Sequence, residues 1–106
     1  MTDTIVLVLT TMPPGEAAEA LARTLVGERL AACVNVLPPM LSVYRWQGDV
    51  QRDAEQQLVI KTTRARLPAL TARLTELHPY EVPECLVVPV DSASEAYGAW
   101  LGDSVK

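Results

Sequence analysis

One strand pattern, from about Val50 to Thr63, is too long for a compact domain of 106 residues. Its most apolar part is Leu58-Val59-Ile60, and a turn at Gln47-Gly48-Asp49 precedes it. A strand of about 14 residues is roughly 46 Å long, whereas a compact chain of this length has a diameter on the order of 33 Å. We therefore expect a hairpin that projects beyond its own domain, unless the chain bends it back.

The predicted partner of this long strand contains two prolines. The segments Cys33–Leu37 and Leu41–Trp46 show strand alternation, and Pro38-Pro39 lies between them. Proline has no N–H to donate to a ladder, so we expect an edge strand that is bent or bulged at this pair. Pro89 indicates a second edge strand at Cys85–Val90.

The N-terminal part of the chain predicts a strand followed by a helix. Thr4–Thr11 is rich in β-formers, and its continuous apolar run at Ile5–Leu9 favours a strand covered on both faces. Pro14 suits a first helical turn. Apolar residues at helical spacing then predict a helix to roughly Arg29; they are Ala18, Leu21, Ala22 and Leu25.

Two more helices are predicted in the second half. The second helix has Leu67, Leu70, Leu74 and Leu77 at three- and four-residue steps, with Pro68 in its first turn. A short last helix begins after Asp91-Ser92. Ser92 and Glu95 have the spacing of a capping box, and Ala96, Tyr97 and Trp100 would form its apolar side.

The order strand, helix, strand, strand, helix, strand predicts an α+β fold. We expect a ferredoxin-like βαββαβ sandwich with a long central hairpin and a short C-terminal helix, as one domain over residues 1–106. This layout puts the proline-bearing second and fourth strands at opposite edges. It also puts Cys33 and Cys85 roughly three strand spacings apart, too far for a disulfide.

The predicted sheet has more apolar surface than its helices can cover. In this fold both main helices lie on one side of the sheet, whereas Ile5–Leu9, Leu58–Ile60 and Leu86–Val88 are apolar on both sides. The second side would be a large exposed patch on a single chain. We therefore expect a homo-oligomer whose closed symmetry buries this face and pairs the edges.

Charge and motif content argue against several classes of function. The chain has 13 acidic and 9 basic residues, a net charge of −4, and no basic run, so neither nucleic acid nor an anionic membrane is an expected partner. It lacks a phosphate-binding glycine loop and a nucleophile motif, which predicts a protein that is not an enzyme and requires no cofactor. No apolar stretch reaches 18 residues and no signal peptide is evident, so we expect a cytoplasmic location.

Four segments in order and spacing resemble the CutA divalent-cation tolerance family. They are Arg29–Asn35, Ser42–Gly48, Lys61–Thr63 and the distinctive His78-Pro79-Tyr80-Glu81-Val82-Pro83-Glu84, and the resemblance extends from Ile5 to Trp100. It implies a homotrimer related in architecture to the PII signal proteins, with sheets packed inward and edge strands paired. It also implies tolerance to copper and other divalent metals, metal binding by some members, and no established enzymatic activity.

The first candidate site is a metal site at His78, the only histidine of the chain. Its imidazole is a ligand type that Cu(II) and Zn(II) accept. The copper sites that the resemblance implies also use a cysteine at the end of the first strand and a second histidine. Here Thr10 and Leu77 occupy those positions. We expect at most weak divalent binding, completed by Glu81, Glu84 or a neighbouring subunit; alternatively, His78 only ends a helix.

The second candidate site is a cleft for a small polar ligand between subunits. Its candidate residues mix aromatic, cationic and acidic groups near the strand ends and the proline-rich loop: Trp46, Lys61, Tyr80, Glu81 and Glu84, with Tyr44 beside them. Clefts of this composition suit small ligands. The alternative is that Trp46 and Tyr80 anchor an interface, with an ion pair between Lys61 and Glu84.

Overall fold

The computed structural model describes residues 4–106. Residues 1–3, with which the predicted domain begins, lie outside the described residues. The predicted α+β fold is confirmed, with five strands and three helices in this part of the chain. They are β1 (Ile5–Met12), α1 (Glu16–Gly27), β2 (Cys33–Val36), β3 (Met40–Trp46), β4 (Asp49–Thr63), α2 (Leu67–Leu77), β5 (Leu86–Pro89) and α3 (Glu95–Ser104). None of these helices is long and apolar enough to cross a membrane.

The strands form an antiparallel sheet in the order β2-β4-β1-β5, and β3 pairs with the remaining length of β4. β2, which precedes Pro38-Pro39, and β5, which contains Pro89, therefore lie at opposite edges, as predicted. Cys33 and Cys85 are both free thiols.

The hairpin of β3 with the first half of β4 projects from the domain; we call Met40–Glu55 the arm. Trp46 pairs with Asp49 across a two-residue turn, and Met40 pairs with Glu55 at the base. The turn residues Gln47 and Gly48 have φ values of 50° and 87°, as a tight hairpin with right-handed twist requires. The molecule measures 47 × 26 × 24 Å, which agrees with the predicted projection.

The predicted bend at Pro38-Pro39 is a bulge between β2 and β3. Val36 pairs with Leu58 and Met40 pairs with Glu55, so three residues on one strand face two on the other. The Leu37 N–H donates to the Gln57 carbonyl at 2.9 Å. The predicted edge strand is therefore two strands, and neither proline has to supply a ladder N–H.

Only one face of the sheet is fully covered. Val6, Val8 and Met12 of β1 alternate with half-buried residues and pack under α1 and α2. Within the single chain β1 is therefore fully covered on one face only, and cover for its second face stays a prediction about the assembly. We call the other side the open face; its central side chains are Leu7, Leu9, Val59, Leu86 and Val88.

Helix α3 crosses one end of the open face, which the sequence did not indicate. A Cβ added at Gly98 would lie 3.7 Å from the Ile5 Cδ1 atom, an ordinary van der Waals distance, so this side of the helix lies directly against β1. The buried residues of α3 are Gly98 and Leu101, whereas Tyr97 and Trp100 are exposed. The predicted apolar side of this helix is therefore wrong.

Two helix ends also differ from the prediction. α1 ends at Gly27 because Arg29 adopts a left-handed conformation (φ 59°), and the Leu30 N–H bonds back to the Leu25 carbonyl at 3.0 Å. The N-cap of α3 is Ser94, whose hydroxyl accepts from the Tyr97 N–H at 3.3 Å. The predicted cap at Ser92 is therefore wrong, since the helix begins two residues later than that spacing implied.

Candidate functional site

A groove of about 930 Å³ lies between the arm and the loop after α2. It contains four of the five predicted ligand residues. The side chains that characterise it are aromatic or acidic: Tyr44, Trp46, Asp53, Glu55, Tyr80, Glu81 and Glu84, beside Thr11, Gln57 and several apolar groups. The fold thus brings residues of β1, the arm, β4 and the loop after α2 together at one place.

Strand alternation explains why the arm presents these particular groups. Ser42 pairs with Asp53 and Met40 pairs with Glu55, and paired residues share one face of an antiparallel ladder. Asp53 and Glu55 therefore point to the same side as Tyr44. Neither carboxylate was predicted as a site residue, although their period-two spacing within the long strand could have indicated them.

Tyr80 connects the loop to the arm. Its hydroxyl donates to the Glu55 Oε2 atom at 2.7 Å, and Glu55 is only 8% exposed. The Tyr44 hydroxyl makes the corresponding bond to Asp53. Each tyrosine thereby satisfies one carboxylate oxygen at the groove wall.

The two tyrosines lie in a negative environment. Burial, the hydrogen bond to Glu55 and nearby negative charge raise the pKa of Tyr80 well above its ordinary value of 10.0. The hydrogen bond to Asp53 is the main cause that raises the pKa of Tyr44. Both hydroxyls therefore stay protonated donors across the physiological range.

Gln57 tethers the end of the loop to the sheet. Its amide nitrogen donates to the Thr10 carbonyl at 2.7 Å and to the Glu84 Oε2 atom at 2.9 Å. Glu84 is thus fixed at the floor of the groove, whereas Glu81 is exposed at its rim. Gln57 was also missed, because a glutamine in a strand gives no signal by itself.

His78 is buried at the C-terminal end of α2. Its Nε2 atom lies 2.8 Å from the Thr11 carbonyl, which can only accept, so this nitrogen carries the proton. The Nδ1 atom then accepts from the Tyr80 N–H at 3.1 Å. Both ring nitrogens are engaged, which agrees with the alternative that His78 ends the helix, and a metal would have to displace one of these bonds.

The surroundings of His78 supply few further ligands. Within residues 4–106, no group of three or more His, Cys, Asp or Glu side chains has the placement to hold a metal ion. Thr10, at the position where the resemblance implies a cysteine, points into the core. Its hydroxyl is buried and finds no hydrogen-bond partner among the described residues.

Lys61, the fifth predicted ligand residue, does not line the groove within one chain. It lies on the open face, where it pairs with Leu7 of β1 and Cys33 of β2. Its Nζ atom is 3.4 Å from the Tyr97 hydroxyl and 5.7 Å from the centre of that ring. The described chain contains no ion pair between Lys61 and Glu84.

Comparisons with known proteins agree over nearly the whole chain. A family model described as CutA1 divalent ion tolerance protein matches residues 6–104. The divalent-cation tolerance protein CutA of Thermus thermophilus is 46% identical over 98 residues, which are 92% of this chain and 95% of that protein. The chloroplastic protein CutA of Arabidopsis thaliana is 43% identical over 101 residues, 95% of this chain but 56% of that longer protein. The crystal structure of CutA1 from Oryza sativa has a TM-score of 0.95 at 42% identity, covering 99% of this chain and 96% of that one.

Proposed function

Because the chain belongs to the CutA1 family of divalent ion tolerance proteins, we propose that it acts as a homotrimer that binds divalent cations such as Cu(II) weakly and catalyses no reaction. In this proposal it requires no cofactor and works in the cytoplasm. The name of the Arabidopsis relative assigns that protein to the chloroplast, so a fractionation of cells that express this chain is the direct test of location.

The uncovered apolar surface carries the proposal of an assembly. Leu86 is 55% exposed on the open face, and Val50 is 66% exposed on the arm. The edge strands β2 and β5 each have one side without a partner strand in the described chain. A monomer would expose this surface to water, and three copies around an axis would bury it while pairing the edges.

Sedimentation equilibrium tests the assembly. We expect a mass three times the 11.5 kDa of one chain, over a wide range of protein concentration. Leu86→Arg places a charge on the buried face of the proposed trimer and should shift the protein to monomer. Val26→Arg, on the exposed side of α1, is the matched control and should leave the mass unchanged. A folded monomeric wild type would contradict the trimer.

The metal part of the proposal assigns Cu(II) or Zn(II) to His78, with Glu81 or a neighbouring copy completing the ligands. Imidazole is a ligand type that such ions accept readily, and His78 is the only histidine of the chain. Since both ring nitrogens already make hydrogen bonds, binding should be weak and should disturb Tyr80. We expect a small titration heat that disappears in His78→Ala, provided the variant is shown to be folded. Equal heat in wild type and variant would show that the metal binds at another site.

A second candidate function is PII-like sensing of a small ligand, or a scaffold role, at the groove. The gathering of Trp46, Tyr80, Glu81 and Glu84 around one cavity favours this candidate. In the proposed trimer, Lys61 would join the site from a neighbouring copy. Thermal shifts across a metabolite panel test the idea: a stabilising compound whose effect Lys61→Ala weakens supports it, and unchanged melting throughout counts against it.

A further inference from the structure

We propose that the side-chain amides of Gln56 and Gln57 fix the direction of the arm relative to the rest of the domain. We call these two residues the joint, and the rest of the domain the body. Because the joint lies within one chain, it depends neither on the proposed trimer nor on a bound metal or ligand.

The joint lies where β4 leaves the body and enters the arm. Gln56 and Gln57 pair with Met12 and Thr11 at the end of β1. The next residue of β4 toward the turn is Glu55, which pairs with the arm strand β3. The direction of the arm is therefore decided at these two residues.

Backbone pairing on the other side of the joint is incomplete because of the bulge. Residues 37–39 face Gln56 and Gln57 there, and the two prolines of this segment have no N–H to donate. The Leu37 N–H supplies one backbone bond, to the Gln57 carbonyl. A bulge of this kind would by itself leave a flexible connection.

Gln56 strengthens the connection on the face that the helices cover. It shares this face with the buried Leu58, since residues two apart in a strand point to the same side. Its Oε1 atom accepts from the Gly15 N–H at 2.8 Å, and its Nε2 atom donates to the Leu37 carbonyl at 2.9 Å. One amide thus joins the strand of the arm to the N-cap residue of α1 and to the bulge.

Gln57 strengthens the connection on the opposite face. Its Nε2 atom has two N–H groups, and the bonds to the Thr10 carbonyl and to the Glu84 carboxylate use both. The second acceptor carries a negative charge, which makes that hydrogen bond the stronger kind. This amide joins the strand of the arm to β1 and to the loop after α2.

The two amides oppose different movements of the arm. The backbone bonds of a ladder lie in the plane of the sheet and resist bending out of that plane least. A swing toward one face would stretch the side-chain bonds on the other face, so two amides on opposite faces resist both directions. The β3 strand has 7 residues and is roughly 23 Å long, so a swing of about 20° would move the tip of the arm by about 8 Å.

A fixed arm also bears on assembly. When an ordered segment contacts another copy, it loses less conformational freedom than a mobile segment does, and less of the binding free energy is spent on ordering. In the proposed homotrimer, the joint would therefore present the arm in the direction in which it packs.

The test measures the distance from the arm to the body by pulsed electron spin resonance. Spin labels are attached to Asp49→Cys near the tip of the arm and to Ala20→Cys on α1, both at exposed positions. The natural thiols are first replaced by Cys33→Ala and Cys85→Ala. The labelled chain is refolded with a large excess of unlabelled chain, so that only distances within one chain are recorded, whatever the mass of the assembly.

We expect a narrow distance distribution for the chain with its natural joint. Gln56→Met with Gln57→Met keeps the length of both side chains and removes their hydrogen bonds, and should broaden the distribution by several ångströms. Gln51→Met is the matched control, since Gln51 is a half-buried glutamine of the same strand that lies within the arm, and should leave the distribution narrow. Circular dichroism checks the fold; if the double variant does not fold, each single substitution is measured, and each should broaden the distribution less.

Two results would overturn the proposal. One is a broad distribution with the natural joint, and the other is equal widths for the joint variants and Gln51→Met. Sedimentation of the same samples separates this question from the trimer. A monomer with a narrow distribution that the joint variants broaden would support the joint and contradict only the assembly.

Discussion

His78 has a structural role that its residue type alone does not reveal. Its ring joins the end of α2 to β1 through the Thr11 carbonyl and holds the start of the following loop through the Tyr80 N–H. The rings of His78 and Tyr80 are also in contact, with centroids 4.8 Å apart. The placement of Tyr80 in the groove therefore depends on this histidine.

Replacing His78 by Ala should destabilise the fold. Two polar backbone groups, the Thr11 carbonyl and the Tyr80 N–H, would lose their partners in a partly buried place, at a cost of about 1–3 kcal/mol in the free energy of unfolding. Urea denaturation measures the change. Thr75→Ala, at an exposed site of the same helix, should cost much less; equal effects of the two substitutions would contradict the structural role.

Tyr80 should make the protein sensitive to alkali. Its pKa is raised in the folded state above the unfolded value near 10, so its contribution to stability is complete below pH 10. Above that pH the unfolded chain loses the phenol proton first, and the contribution decreases as the pH rises. Tyr80→Phe should therefore show a smaller loss of stability between pH 9 and pH 11 than the wild type. Tyr97→Phe, outside the groove, is the control, and identical slopes for wild type and Tyr80→Phe would contradict the prediction.

At the scale of elements, the start of α3 shows that a capping-box spacing does not by itself locate the end of a helix. Ser92 has the capping-box spacing to Glu95, yet Ser94 supplies the cap, because residues 90–94 are not helical and the helix begins at Glu95. The direction of the chain after β5 decides where the first helical turn closes. A spacing rule contains no information about that direction.

The two serines give a direct test of this assignment. Ser94→Ala removes the hydroxyl that accepts from the Tyr97 N–H and should lower the free energy of unfolding by about 1 kcal/mol. Ser92→Ala should have almost no effect. Thermal unfolding at a fixed protein concentration measures both; a larger loss for Ser92→Ala would restore the capping-box interpretation.

For the whole molecule, the arm is the element whose role depends most on assembly. Leu41 and Val50 share one face of the arm and are largely exposed in the single chain. If the arm packs against another copy, as we propose, the two side chains are core residues of the interface. If the arm extends into water, the two side chains contribute little to stability.

A double variant distinguishes these roles. Leu41→Ser with Val50→Ser should raise the dissociation constant of the assembly by at least about a hundredfold, since each buried aliphatic side chain contributes roughly 1.5–3 kcal/mol. Melting temperature should then depend strongly on protein concentration, which dilution series measure. Val26→Ser on α1 is the matched control, and an effect no larger than that of the control would place the arm in solvent.

Much of this architecture follows from local pattern. Periodicity identified the strands and helices, and the prolines identified β2, β5 and the bulge, because a missing N–H is a covalent property that no tertiary context can restore. The residues Trp46, Tyr80, Glu81 and Glu84 were predicted as one ligand site and do line one groove. Length alone predicted that the arm would project.

Contacts between distant segments could not be predicted from local sequence pattern. The bonds from Tyr80 to Glu55, from Gln57 to Thr10 and from Lys61 to Tyr97 join residues 25 to 47 positions apart. They depend on strand register, on the direction in which the loop leaves α2, and on the helix that covers one end of the open face. Each of these features depends on the packing of the assembled sheet, because residues far apart in the sequence must come together in space before such a bond can form.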